Sequence, residues 1–189
     1  MPYLIFGCRA LLFGVFLVAA AGKLRGRAAF DEFAASIVDL RLLPRKLSGA
    51  AASAVAAVEL AVVALLVIPA TIQAGLLLGT GLLLVLTTGI LASLRMGRRT
   101  PCRCFGTSAT PLGPVHVTRN LILAAIGGVG IIAAFGNEPD SWPPHPGGST
   151  IALITALVGV LLVVRLDDLV SLFSNPSISS AIDVHAEKK

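Results

Sequence analysis

The chain has 189 residues, of which 56% are hydrophobic and 13% are charged, a composition outside the range of soluble globular domains. Ala, Leu, Val and Gly dominate while aromatic residues make up 5%, which favours helices packed through small residues and argues against a barrel with aromatic girdles. The formal net charge is +5, but the basic residues cluster beside apolar runs, where membrane lipids are the natural partner and nucleic acid is not. The sequence therefore predicts an all-α, polytopic transmembrane helical bundle in the cell membrane.

The first apolar run, Tyr3 to Ala21, is long enough to cross a hydrocarbon core and ends at a basic string. We expect a transmembrane helix here. A cleavable signal peptide is the competing interpretation, since residues 19–21 are all Ala, although no basic cluster precedes the run. The following stretch, 28–43, has apolar residues at helical spacing and predicts a helix that lies in the membrane interface.

Two further apolar runs form a predicted helical hairpin. The second span covers residues 50–68 and the third covers 72–94, and only Pro69-Ala70-Thr71 separates them. Such a short connection requires the third span to return antiparallel to the second. Gly75, Gly79 and Gly81 in the third span predict close contacts with neighbouring helices.

The rest of the chain contains two more apolar runs, a fourth span from Thr118 to about Phe135 and a fifth from Thr150 to Val164. The fifth is slightly short, and we expect its helix to continue to Phe173. The predicted segments are a transmembrane core (1–136) with a cysteine-bearing loop (95–117), a Pro/Gly-rich extramembrane loop (137–149), an additional C-terminal helix (150–173) and a flexible tail (174–189).

The distribution of basic residues predicts how the bundle is oriented. The segment after the first span, the loop 95–117 and the C-terminal end carry most of the Lys and Arg, and they share one side of the membrane in this topology. By the positive-inside rule that side is the cytoplasm. The cysteines of the loop are therefore predicted to face the cytoplasm.

Cys102 and Cys104 form the most reactive cluster in the sequence, with Arg103 between them. Adjacent cations favour the thiolate, which is the species that attacks disulfides or binds soft metals. A bond between two cysteines one residue apart would close a small, strained ring, and strained disulfides are labile. The pair therefore suits thiol–disulfide exchange better than a permanent cross-link.

Other interpretations of the cysteine pair stay open. Cys102 and Cys104 could be structural cysteines in a tight turn, or could hold a metal together with His116, although a fourth ligand is missing. A transporter for a small solute or soft metal ion would use those ligands and line its path with Glu59. A non-catalytic membrane assembly partner would use the cysteine turn only for docking.

Three polar or reactive residues inside the predicted spans require an explanation. Glu59 lies at the centre of the second span, where a carboxyl group is costly unless it is protonated, paired or beside a polar cavity. Arg9 is its candidate partner, and a structural pair and a proton relay are both compatible with the sequence. Cys8, deep in the first span, is best explained as a small buried apolar residue.

The residues around the cysteines resemble a family signature. The stretch Cys102-Arg103-Cys104-Phe105-Gly106 precedes Pro111-Leu112-Gly113 and then Val117, Arg119 and Asn120, and together these resemble the methylamine utilisation protein MauE family. Features typical of the broader MauE/DoxX-like group occur earlier in the chain, namely Ala21-Gly22-Lys23, Leu43-Pro44 and Glu59. The resemblance extends over roughly residues 5–135.

This resemblance implies a four-helix family core, to which the chain adds a fifth span. It also implies a redox-associated membrane protein that acts with a thioredoxin-like partner in the maturation of exported, disulfide-containing client proteins, as part of methylamine metabolism. In that setting Arg119 would favour the thiolate by its charge and Asn120 would tie the cysteine loop to the fourth span. The protein would be a component of a thiol–disulfide oxidoreductase. No cofactor is predicted, and a quinone would suit this chemistry without support from the sequence.

Overall fold

The computed structural model of the protein describes residues 2–40, 44–96, 114–135 and 146–173. Within these ranges it contains no strand and consists of six α-helices with one 3-10 turn at Pro69–Thr71. The helices are α1 (Pro2–Leu24), α2 (Arg27–Leu40), α3 (Arg45–Val67), α4 (Ile72–Arg95), α5 (Pro114–Phe135) and α6 (Pro146–Phe173). All except α2 are long and apolar enough to cross a membrane. The predicted all-α bundle with a fifth span is therefore confirmed, and it fits a multi-pass membrane protein.

Helix α1 is the centre of the bundle, because it contacts every other helix. Its buried face carries Leu12, Val15 and Phe16, which have almost no exposed surface and pack with apolar residues of α3, α4 and α5. Large apolar side chains such as Ile132 and Ile151 instead lie exposed on the outside of the bundle. This distribution fits a lipid environment, where outward-facing apolar surface carries no penalty.

The predicted hairpin is present. The turn at Pro69–Thr71 joins α3 to α4, and the Thr71 hydroxyl donates a hydrogen bond of 2.8 Å to the carbonyl of Leu65 near the end of α3. Gly75 and Gly79 lie against α3 as expected, whereas Gly81 has no neighbouring atom within 4 Å of its hypothetical Cβ and does not serve a close contact.

Helix α2 has the amphipathic character predicted for an interfacial helix. Phe33 and Ser36 are buried, whereas Asp31 and Glu32 are exposed. The helix packs against α1 and α3. Its apolar face therefore covers one end of the bundle, while its charged face points away.

Two helices begin earlier than the sequence indicated. Helix α5 starts at Pro114, before the expected Thr118, and α6 starts at Pro146, before the expected Thr150. Proline is tolerated in the first turn of a helix because its missing N–H would have no partner there. These prolines open helices, although the sequence interpretation assigned them to loops. Residues 97–113, 136–145 and 174–189, which include most of both predicted loops and the predicted tail, lie outside the described residues.

Helices α4 and α5 approach closely at Gly127. A Cβ atom on this residue would collide with the hydroxyl oxygen of Thr80 on α4 and would lie 3.4 Å from Leu12 Cδ1 on α1. The adjacent Gly128 has no atom within 4 Å of the same hypothetical position. A side chain at position 127 would therefore force Thr80 or the helices themselves to shift.

We predict that Gly127→Ala destabilises the bundle by about 1–3 kcal/mol, the usual cost of inserting a methyl group into a filled core. Gly128→Ala is the matched control and should be neutral or stabilising, because alanine favours a helix more than glycine does. Unfolding in detergent micelles measures both. Thr80→Ala should restore stability to the Gly127→Ala protein, and a failure of this rescue would contradict the proposed collision.

Candidate functional site

Four helix termini meet at one end of the bundle. The alternating directions of α1, α3, α4 and α5 bring the C-terminal ends of α1 and α4 together with the N-terminal ends of α3 and α5. Most of the buried polar and charged side chains of the described residues lie towards this end. We call the following residues the polar cluster: Lys23, Glu59, Thr87, Ser93, His116, Arg119 and Asn120.

The register between helices shows how this cluster is layered. Gly127 of α5 lies opposite both Thr80 of α4 and Leu12 of α1. Seven residues, or about two turns, before Gly127 on α5 is Asn120, and because α4 runs antiparallel to α5 it lies at the level of Thr87 on α4. Eleven residues, or about three turns, before Gly127 is His116, which lies at the level of Lys23 on α1. The polar cluster therefore occupies successive layers at one end of the bundle.

A buried ion pair joins α1 to α3 within the cluster. Lys23 Nζ lies 2.7 Å from Glu59 Oε1 and 2.8 Å from Oε2, and the two side chains are only 3% and 4% exposed. The ammonium group also lies 4.6 Å from the centre of the Phe33 ring on α2, close enough for a cation–π interaction. One lysine thus links three helices, and both carboxylate oxygens of Glu59 are satisfied.

The predicted pairing of Glu59 with Arg9 is wrong. Arg9 instead donates from Nε and Nη2 to the carbonyl oxygens of Leu66 and Val67, at 2.6 and 2.7 Å. Because α1 and α3 are antiparallel, Arg9 lies beside the C-terminal end of α3, and Lys23 is the residue that reaches Glu59. The sequence interpretation counted Lys23 only among the basic residues that close the first span. Two features of the sequence could have identified Lys23 as the partner of Glu59: the antiparallel register of the two helices, and the length of a lysine side chain, which lets it extend inwards.

The first turns of α5 bury three of the candidate residues. His116, Arg119 and Asn120 are 4%, 3% and 3% exposed, and their spacing of three and four residues places them on one helix face. Asn120 Oδ1, like Ser93 Oγ on α4, has no hydrogen-bond partner among the described residues. Buried polar groups normally have hydrogen-bond partners. The start of α5 is therefore a packed part of the polar cluster and differs from a helix start that water solvates.

Cys102 and Cys104 lie outside the described residues, as do Arg103 and the rest of 97–113. The chain nevertheless connects them to the described ends, because this segment follows α4 and precedes α5. Those are the two helix ends that supply Ser93, His116, Arg119 and Asn120 to the polar cluster. A metal site formed by both cysteines and His116 stays a hypothesis.

Cys8 belongs to a different part of the molecule. It is 6% exposed, and it packs against Gly130 of α5, at the end of the bundle away from the polar cluster. Its thiol is free. This position fits the interpretation of Cys8 as a small buried apolar residue.

Comparison with known families assigns the chain. The sequence profile described as methylamine utilisation protein MauE matches residues 1–133. The chain belongs to the MauE family. The match extends through α1 to α4 and nearly all of α5, including the segment with the two cysteines, and it ends before α6. No curated protein and no solved structure matches the chain. The protein is therefore a methylamine-utilisation-associated membrane protein that carries an additional C-terminal helix.

The buried ion pair of this MauE-family protein generates a testable prediction. Glu59→Gln or Lys23→Met alone should destabilise the bundle by about 3 kcal/mol, because each leaves the other group buried without its partner. The double variant should lie within about 1 kcal/mol of the original protein, since a neutral pair removes both buried charges. Unfolding in detergent micelles measures the coupling.

Lys46→Met provides the control for the loss of a lysine, because Lys46 is exposed at the start of α3. Its stability should change by less than about 0.5 kcal/mol. Strictly additive costs for the two single variants would contradict a direct interaction between Lys23 and Glu59.

Proposed function

We propose that Cys102 and Cys104 exchange disulfides with a thioredoxin-like partner and thereby support the maturation of exported, disulfide-containing proteins at the cell membrane. The observation that carries this proposal is the position of the cysteine segment in a MauE-family chain. It joins the end of α4, where Ser93 is buried, to the start of α5, where His116, Arg119 and Asn120 are buried. Methylamine metabolism is the process in which such a client would function.

The exchange conserves electrons and protons. The thiolate of one cysteine attacks the partner's disulfide, which forms a mixed disulfide and releases one partner thiolate. The second cysteine then attacks its neighbour, so a Cys102–Cys104 disulfide closes and the partner leaves with two thiols. Two electrons and two protons pass to the partner in this direction. The reverse sequence oxidises the partner and returns the pair to its dithiol state.

Arg119 and Asn120 act as positioning residues in this proposal. The buried guanidinium of Arg119, near the start of α5, raises the local positive potential. A buried cation stabilises a nearby thiolate more than an exposed cation would, because the local dielectric constant is lower. Asn120 presents a buried amide on the same face of the helix. It is suited to accept a hydrogen bond from the segment that precedes α5.

Glu59 has a supporting role. Both of its carboxylate oxygens accept hydrogen bonds from Lys23, and the pair holds α1, α3 and α2 together at the end of the bundle where the cysteine segment begins and ends. Of the two roles that the sequence left open, we therefore favour the structural pair over the proton relay.

Replacement of either reactive cysteine should abolish exchange. In cells, Cys102→Ser and Cys104→Ser should each reduce the yield of oxidised client at least about tenfold, because no residual dithiol can complete the second step. Trapping free thiols with a maleimide reagent measures the redox state. Cys8→Ser is the matched control, since Cys8 is buried at the opposite end, and it should leave exchange unchanged.

Other results would separate the alternatives. A Cys102→Ser and Cys104→Ser double variant that still matures the client would indicate an assembly partner. Stoichiometric zinc or copper in the purified protein, lost in the same variant, would instead favour the transport of a soft metal ion. A membrane-impermeant thiol reagent applied to intact cells reports the side of the membrane. Labelling from outside would contradict the predicted cytoplasmic location and would put the pair on the same side as the exported clients. With the pair in the cytoplasm, the proposal requires that it receives electrons from a cytoplasmic thiol donor and passes them across the bundle.

Arg119→Gln should slow the reaction of the cysteine pair with iodoacetamide at neutral pH. The loss of a nearby positive charge lowers the thiolate fraction, and one pKa unit corresponds to about a tenfold change. Arg119→Lys retains the charge and should react at nearly the original rate. Equal rates for all three proteins would contradict a role of Arg119 in favouring the thiolate.

A further inference from the structure

Arg9 lines a groove at the opposite end of the bundle from the polar cluster. The groove has a volume of about 210 Å³ and opens on the outer surface between α1 and α3. Its walls are almost entirely apolar, and its lining residues are Phe6, Arg9, Ala10, Phe13, Leu66 and Val67. Among the described residues that line the groove, Arg9 is the charged one.

The guanidinium lies level with the C-terminal end of α3. It binds the carbonyl oxygens of Leu66 and Val67, and Val67 is the last residue of that helix. These carbonyls have no partner within the helix, and lipid cannot supply one. Arg9 therefore caps α3 and occupies the depth at which α3 leaves the membrane.

Capping does not neutralise the charge of Arg9. Carbonyl oxygens carry only partial negative charge, and among the described residues no carboxylate forms an ion pair with Arg9. Its two hydrogen bonds to described residues use Nε and Nη2, so the N–H groups of Nη1 can still donate to another acceptor. A full positive charge at the level of the headgroups attracts the negative charge of an anionic lipid.

We propose that this groove binds an anionic phospholipid, with the phosphate at Arg9 and an acyl chain along Phe6 and Phe13. The guanidinium matches a phosphate in charge and hydrogen-bonding geometry. The apolar walls match a hydrocarbon chain, which a free inorganic phosphate could not use. The location at the end of α3 places the charge near the level of lipid headgroups. This site lies at the opposite end of the bundle from the polar cluster and does not depend on the proposed thiol chemistry.

Native mass spectrometry of the full chain in detergent, with phosphatidylglycerol or phosphatidylcholine of the same acyl length, tests the proposal. The unaltered protein should bind phosphatidylglycerol about fivefold more tightly, the advantage expected from one cation at a membrane surface. Arg9→Gln should remove this preference. Ala10→Phe should also remove it, because the larger side chain fills the groove without deleting the bonds from Arg9 to α3.

Arg95→Gln is the control, since Arg95 is exposed at the other end of the bundle, and it should keep the preference. If Arg9→Gln fails to fold because α3 loses its cap, the Ala10→Phe protein decides the question. Equal binding of both lipids by the unaltered protein would overturn the proposal. A preference for phosphatidylglycerol that survives in Arg9→Gln or in Ala10→Phe would also overturn it, as would the loss of this preference in Arg95→Gln. A dimer that Ala10→Phe converts to a monomer, without lipid preference, would show that a second copy covers the groove and would also overturn it.

Discussion

The end of the bundle that carries the polar cluster depends on the buried ion pair between Lys23 and Glu59. Two charges in a membrane-spanning protein are tolerated only when they are close together and their hydrogen bonds are satisfied. Lys23 meets this requirement with contacts of 2.7 and 2.8 Å to the carboxylate, and Phe33 covers the ammonium group. The pair thereby specifies which faces of α1 and α3 meet and where α2 lies on them.

The two ends of the bundle differ in the side chains that they bury. One end buries the polar cluster, and there the segment 97–113, which contains Cys102 and Cys104, joins α4 to α5. The other end contains Cys8, packed among apolar neighbours, and Arg9, whose hydrogen bonds cap α3. The buried polar groups of the described residues are thus concentrated at the first end, and the groove lined by Arg9 lies at the second.

Between these ends, packing depends on small residues. Gly127 allows α5 to lie against Thr80 and Leu12, and Gly14 of α1 fits below Val160 of α6, where a Cβ would lie 2.6 Å from Cγ2. Helix α6 lies beyond the part of the chain that matches the family, yet it packs extensively on the central helix α1. The additional helix is therefore attached to the family core through close contact with α1.

Hydropathy and spacing alone determined the class of protein, the number of spans and the hairpin at Pro69–Thr71, because the bilayer imposes a length and an apolar composition on each crossing segment. The cysteine segment also indicated the family, since reactive residues at fixed spacing are visible without coordinates. The partner of Glu59 was decided only by tertiary structure. Arg9 and Lys23 are both basic residues of the first span, and the antiparallel register selects between them. The burial of His116, Arg119 and Asn120 was likewise invisible in the sequence, because it depends on which face of α5 turns towards its neighbours.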